Sequence, residues 1–358
     1  MAYPLIILGA GASMDYLRAD DHIEHRDSNY FRYKAPLMNQ LFEDARFYEI
    51  LDRYPGLNSF ASDAMNAMSR PNANFEDYLT NARDNLAKNN PAIYSQLLSL
   101  VFYLADLFSE ISVKFYYSRN HYKGLLHKID NYCGGQACFV NFNYDLLLEK
   151  SLNDHSAGKF NYSNLDNYTN LNIKIIKIHG ACNWRYNPQT VQSKETTAVD
   201  FFSNFSKDLI LGTNNDSIYP VAADITNVNF NPEYNQRLQS WTVKLPVIAL
   251  PLKNKPNNYV CGESHIAVLK ECIKKIDRIL IIGWRGADAF LPSLLKDQLG
   301  NRKIRTIVVT KNSIPDLVIN YYGTNIPQFD IRDEDVHQIG FSEFMKTDKY
   351  ERFFVDHV

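Results

Sequence analysis

The feature that most constrains this chain is a short apolar run that ends in glycine. Tyr3-Pro4-Leu5-Ile6-Ile7-Leu8 leads directly into Gly9-Ala10-Gly11-Ala12-Ser13. A continuous run of this length, without alternation of polar residues, is the pattern of a strand buried on both faces of a parallel sheet. Glycines just after such a strand let the backbone turn sharply and approach a diphosphate, with the N–H groups of the following helix start meeting its charge. The loop lacks the third glycine of the dehydrogenase fingerprint, since Met14 stands where it would be sought. No acidic residue is convincingly placed about 20 residues on to hold a ribose. A tight structural turn is therefore the alternative reading of this segment alone. No Walker-type phosphate loop occurs.

The same signature returns at Ala137-Cys138-Phe139-Val140, Arg278-Ile279-Leu280-Ile281-Ile282-Gly283 and Ile304 to Val309. Ile173 to Ile178 alternates apolar and basic residues before His179-Gly180, and Pro246 to Leu250 is a further apolar run. Between residues 36 and 131 apolar positions recur every three or four residues, through Leu37, Leu41, Phe42, Phe75, Tyr78, Leu79, Leu97, Leu98, Val101, Leu104 and Phe108. This spacing predicts four or five helices, punctuated at Pro71 and Pro91, as a helical layer or insertion. Helices are also predicted from Asp145 and over Ile266 to Ile276. Residues 15 to 33 read as a loop with at most a helical turn, and residues 184 to 240, rich in Asn, Ser and Thr, as an irregular insertion or a small subdomain. Strands alternating with helices predict one α/β domain over 1–358, built on a Rossmann-like parallel sheet.

Two further strand ends carry chemistry. Asn141-Phe142-Asn143-Tyr144-Asp145 follows the second strand, which puts Asn143 and Asp145 where ligands lie in parallel sheets. Asp145 could instead cap the following helix. His179-Gly180-Ala181-Cys182 follows the next strand, and a histidine there can act as a general base near neutral pH, or be a structural hydrogen-bonder. A fourth end reads Ile282-Gly283-Trp284-Arg285-Gly286-Ala287-Asp288, a second glycine-rich turn suited to close contact with a cofactor.

Taken in order, these motifs resemble the sirtuin superfamily, and more closely the bacterial sirtuin-like proteins of antiphage defence. The resemblance spans residues 3 to about 310, and Phe75-Glu76-Asp77-Tyr78-Leu79 is similar to the helical insertion of that bacterial branch. It implies NAD as substrate, with Gly9, Ala10, Gly11 and Ser13 on the diphosphate, Asn143 on the nicotinamide-side ribose or a water, Asp145 supporting that geometry and His179 as base. Gly283, Trp284 and the strand end near Thr310 would bind on the adenosine side, and residues 15 to 33 would form the cofactor loop. The implied activity is cleavage of the nicotinamide–ribose bond to nicotinamide and ADP-ribose, as an NAD-depleting defence effector. Deacylases of the superfamily have a glutamine where this chain has Phe142, and carry two Cys-x-x-Cys pairs on structural zinc, which this chain lacks. No zinc module and no acyl-lysine groove are expected. The alternatives are a protein deacylase or ADP-ribosyltransferase using NAD, or a non-catalytic module that senses NAD or ADP-ribose.

The resemblance also implies a homo-oligomer gated by a separate activator such as a HerA-like ATPase. The net charge of −2 argues against a chain-wide electrostatic footprint for nucleic acid. Five scattered cysteines argue against a disulfide framework. Nothing at the start reads as a secretory signal and no apolar run approaches a membrane span, so the expectation is a cytoplasmic protein. Asp20-Asp21-His22-Ile23-Glu24-His25 has residue types that bind metals, but a single short cluster in a loop rarely makes a site, and no metal is expected.

Overall fold

Short, mainly apolar runs form the centre of the fold in the computed structural model, which describes residues 2–17, 28–70, 73–87, 90, 92–186, 218–220, 233–235, 240–242, 245–252, 259–286, 288–311 and 315–355. Strands β1 (Pro4–Leu8), β2 (Ala137–Asn141) and β3 (Ile173–Ile176) lie side by side. Small strands follow: β4 (Gly180–Tyr186), β5 (Ile218–Pro220), β6 (Glu233–Asn235), β7 (Ser240–Thr242) and β8 (Leu245–Ile248). The main sheet resumes with β9 (Arg278–Ile282), β10 (Ile304–Val309), β11 (Phe329–Asp330) and β12 (Val336–His337). Its order is β11-β10-β9-β1-β2-β3, with β12 also on β10, seven strands in all, and every pairing is parallel. Every residue of β1, β2 and β9 is buried, as expected for strands covered on both faces.

This is a Rossmann-like α/β sheet. From the central β1 the chain builds outward through β2 and β3, then returns to place β9 against the other edge of β1. The order therefore reverses between β1 and β9, and in open α/β sheets the crevice at such a reversal is where ligands bind. Register sharpens the point. Leu8 pairs with both Asn141 and Ile282, and Ile282 pairs with Val309, so these three strands and β10 end level with one another.

The helical layer is present where periodicity predicts it. Five α-helices, Asp44–Leu51, Asn58–Met68, Phe75–Asn81, Ala92–Lys114 and His121–Cys133, occupy the described part of that region. Asn74 and Asn120 cap two of them by accepting from Glu76 N–H and Lys123 N–H. Ala92–Lys114 is long and apolar enough to cross a membrane, yet 83% of its apolar window is buried inside the fold, and its residues Leu97 to Ser112 (Ser99 excepted) form part of the core. The predicted helix over 266–276 is Glu263–Lys275, and the helix expected from Asp145 begins at Leu147. In the stretch read as a loop, Ser28–Tyr33 is a helix, and Leu17 forms a bridge to Asn120.

The segment after His179, for which the sequence pattern predicts no element, is a strand: Gly180–Tyr186 runs antiparallel to β8 and β5. The described parts of the region read as an irregular insertion or a small subdomain are likewise strands, including the β6–β7 pair. Three-residue pieces in a Ser- and Asn-rich stretch are too short for alternation to register. Most of that region, the two punctuating prolines and Asp20 to His25 lie outside the described residues.

Candidate functional site

The level strand ends bring four turns to one edge of the sheet. Gly9 N–H donates to Ile282 O at 3.0 Å, Phe142 N–H to Leu8 O at 2.9 Å, and Gly283 N–H to Val309 O at 3.0 Å, so the sheet ladder persists up to the turns themselves. There the two glycine turns interlock. A Cβ on Gly9 would sit 2.5 Å from Gly283 O, and one on Gly283, whose φ is +62°, would sit 2.5 Å from Ala12 N. Gly11 N–H also approaches Gly283 O at 3.4 Å. Close packing of two backbones thus already requires the glycines at 9, 11 and 283. Ala10 begins the short helix Ala10–Met14 behind them.

Ser13 and Asn143 join β1 to β2. The Asn143 side-chain amide donates to Gly9 O at 3.0 Å and to Ser13 Oγ at 2.9 Å, and its backbone N–H donates to Asn141 Oδ1 at 3.0 Å. Ser13 Oγ also lies 3.1 Å from Tyr122 Oη. Both residues are buried. The Ser13 hydroxyl, expected on a diphosphate, is therefore engaged within the fold, while Asn143 has its amide nitrogen fixed and its carbonyl oxygen as the remaining acceptor.

Asp145 is fully enclosed. Its Oδ1 accepts from Leu147 N–H at 3.1 Å, so it serves the helix start in the way the capping alternative describes. Burial raises its carboxyl above the usual carboxylate range, and the nearby Lys177 ammonium opposes the rise. Lys177 Nζ donates to Asp145 O and lies 2.8 Å from Glu149 Oε1, with both charged side chains fully buried. Burial raises the Glu149 carboxyl as well, against the same ammonium. The ion pair ties the turn after β3 to the helix after β2. Sequence reading missed it: Lys177 sits in the alternating apolar–basic pattern of Ile173 to Ile178, and no local signal links it to Glu149.

His179 lies beside this cluster. Its ring Nε2 is 3.0 Å from Asp288 Oδ2, with side-chain exposures of 14% and 8%. Asp288 Oδ1 accepts from Phe290 N–H at 3.0 Å and Leu291 N–H at 3.2 Å, at the start of helix Phe290–Leu299. The Phe142 ring meets His179 edge-on, with centroids 5.0 Å apart, and stacks on Trp284 at 5.2 Å and 16°. Trp284 stacks in turn near Tyr322 at 5.9 Å, whose hydroxyl donates to Trp284 O at 2.8 Å. Cys182 N–H donates to Tyr144 O at 2.9 Å and joins the histidine segment to the Asn143 segment. Thr310 lies past β10, its N–H donating to His337 O and its O accepting from Gly340 N–H.

Gly9, Ala10, Gly11, Ser13, Asn143, Asp145, His179, Gly283, Trp284 and Thr310 thus come off a single sheet edge, Asn143 and Asp145 buried and His179 partly open. The aromatic wall of Phe142 and Trp284 and the Asp288 contact were legible only as residue types in motifs, not as partners. Chemically, the arrangement offers an imidazole in contact with a carboxylate, a side-chain amide with its nitrogen fixed, and backbone turns at a sheet crevice. No protein-family model matches the chain, and no curated protein matches it.

Proposed function

We propose that the protein binds NAD across the β1–β9 reversal and hydrolyses its nicotinamide–ribose bond. The observation that carries the reading is the convergence of Asn143 and His179 on the edge that also holds the Gly9–Ser13 turn. Pure binding has no need of a partly open, hydrogen-bonded histidine on the same sheet edge as a fixed amide. Departure of nicotinamide leaves an oxocarbenium-like ribose, which a water must capture. Asn143 orients that water or the ribose through its side-chain oxygen. His179 accepts a proton from the water or a ribose hydroxyl. The turns after β1 and β9 hold the diphosphate and adenosine side, and the face of Trp284 contributes an apolar wall. On this reading the protein is an NAD-depleting effector whose activity a partner or self-assembly would gate.

One observation favours a binding module instead: the Asn143 amide nitrogen and the Ser13 hydroxyl are engaged with Gly9 and Tyr122, contacts that serve the fold without any substrate. Asn143→Ala separates the two. If the amide acts on the reaction, turnover of NAD falls about 10²-fold or more at little cost in NAD affinity. If it serves binding alone, affinity weakens and there is no turnover to lose. An acceptor requirement, with acyl-peptide or protein needed for NAD loss, would point to group transfer in place of hydrolysis.

A further inference from the structure

The five cysteines are free thiols, all buried, and two of them meet. Cys138 is the second residue of β2, and Cys272 lies in the last turn of helix Glu263–Lys275. Their side chains are hydrogen-bonded to each other. The Tyr3 hydroxyl, just before β1, stands 3.2 Å from Cys272 Sγ. The Tyr3 backbone fixes this position: its N–H donates to Asp277 Oδ1 at 3.2 Å and its O accepts from Asp277 N–H at 3.3 Å, just before β9. Cys138 also pairs in register with Lys174 of β3. The cluster therefore sits at the strand starts, on the sheet edge opposite the glycine turns, and has no part in the chemistry proposed there.

The five thiols are unlike one another. Burial pushes Cys133 up to about 11 and Cys261 up to about 12, and raises Cys182. Such thiols stay protonated and inert. Cys272 moves the other way. The hydrogen bond from Cys138 holds it below the ordinary thiol range, and the Tyr3 hydroxyl and the ammonium charges of Lys174 and Lys275 act in the same direction, against its burial. Cys138, which donates that bond and is fully buried, is raised. Cys272 keeps 4% of its surface exposed and Cys138 none. A slightly open thiolate with a protonated thiol behind it is the arrangement of an attacking and a resolving cysteine.

We propose that Cys272 and Cys138 form a redox site that takes hydrogen peroxide or a similarly small hydroperoxide and closes to an internal disulfide. The Cys272 sulfur attacks one peroxide oxygen: an S–O bond forms, the O–O bond breaks, and the leaving oxygen keeps the electron pair, takes a proton from solvent and departs as water when the oxidant is hydrogen peroxide. Cys138 then attacks the Cys272 sulfur: the S–S bond forms, the S–O bond breaks, and the hydroxide leaves with the Cys138 proton as a second water. Each sulfur loses one electron and each peroxide oxygen gains one. The product ties the start of β2 to the helix that leads into β9, and a dithiol reductant reverses it.

The test is peptide mapping of the full chain after brief treatment of the folded protein with hydrogen peroxide, then alkylation in denaturant and digestion without reductant. The expected result is a linked Cys138–Cys272 peptide, loss of two of the five alkyl adducts with Cys133, Cys182 and Cys261 still alkylated, and recovery of all five after dithiothreitol. In Cys138→Ser the resolving sulfur is gone, so Cys272 should accumulate a sulfenic acid that dimedone captures. Tyr3→Phe removes a hydrogen bond to the thiolate, so the pH at which oxidation reaches half its maximal rate should move upward; a merely structural tyrosine would leave it in place. The wild-type map decides the matter without either variant. Five adducts retained, oxidation spread evenly over the cysteines, Cys272 converted to sulfinic acid without linkage, or a disulfide between two chains would each overturn the proposal.

Discussion

Alanine at Gly283 tests the interlock that forms the floor of the site. The new Cβ would meet Ala12 N at 2.5 Å and Gly11 C and Cα at 2.6 Å, all backbone atoms that cannot swing aside. The residue also has φ +62°, where an L side chain costs about 1–2 kcal/mol. Forcing extra volume into a packed contact adds about 1–3 kcal/mol. Gly283→Ala should therefore lose about 2–5 kcal/mol, a large share of the roughly 5–15 kcal/mol that holds a domain folded. Two controls separate the contributions. Gly158 has φ +82° but nothing within 4 Å of its Cβ position, so Gly158→Ala carries only the strain, about 1–2 kcal/mol. Gly9 has φ −119°, which any residue adopts, but its Cβ would lie 2.5 Å from Gly283 O. Gly9→Ala thus carries only the clash, about 1–3 kcal/mol. Urea unfolding with an unchanged m-value gives all three numbers. Gly283→Ala should cost most. Equal costs for Gly283→Ala and Gly158→Ala would refute the claim that the two turns are packed backbone to backbone.

Further outcomes follow from the buried charges. Lys177→Met leaves Glu149 buried without its partner and should cost about 3–5 kcal/mol, while Lys177→Met with Glu149→Leu should recover most of it; denaturation of the three proteins checks the coupling. Burial against Trp184 and Tyr168 holds His265 down to about 4 from an ordinary 6.5. Between those two values the unfolded chain takes up a proton that the folded chain refuses, so this contribution is complete above pH 6.5 and is lost as pH falls toward 4, by about 3 kcal/mol in all. His265→Gln should shrink the stability difference between neutral and acidic buffer by that order, whatever it costs in packing at neutral pH; an undiminished difference would assign the acid sensitivity elsewhere.

The strands most legible are β1, β2 and β9, whose residues are all buried and whose apolar runs end in a glycine or an Asn-rich segment, while β10 was legible from Ile304 and Ile307 to Val309 despite Arg305 and Thr306 between them. The helical layer was legible because periodicity accumulates over a long element such as Ala92–Lys114. Strands β11 and β12 have two residues each and owe their form to pairing with β10, which no local pattern encodes. The site divides the same way. Its backbone turns and its Asn, Asp and His were visible as motifs after strands. Its partners were not, since the His179–Asp288, Phe142–Trp284 and Lys177–Glu149 contacts join segments distant in sequence, and only the sheet order brings them together. The Ser13 hydroxyl could not be assigned to the interior without knowing that Tyr122, from the helical layer, reaches it.

The most direct measurement is NAD consumption by the purified full-length protein with products resolved, beside His179→Ala. The account predicts nicotinamide and ADP-ribose from the wild type and almost none from the variant. NAD consumed equally by both proteins would contradict it, as would NAD left intact by the wild type both alone and after candidate activating partners are added.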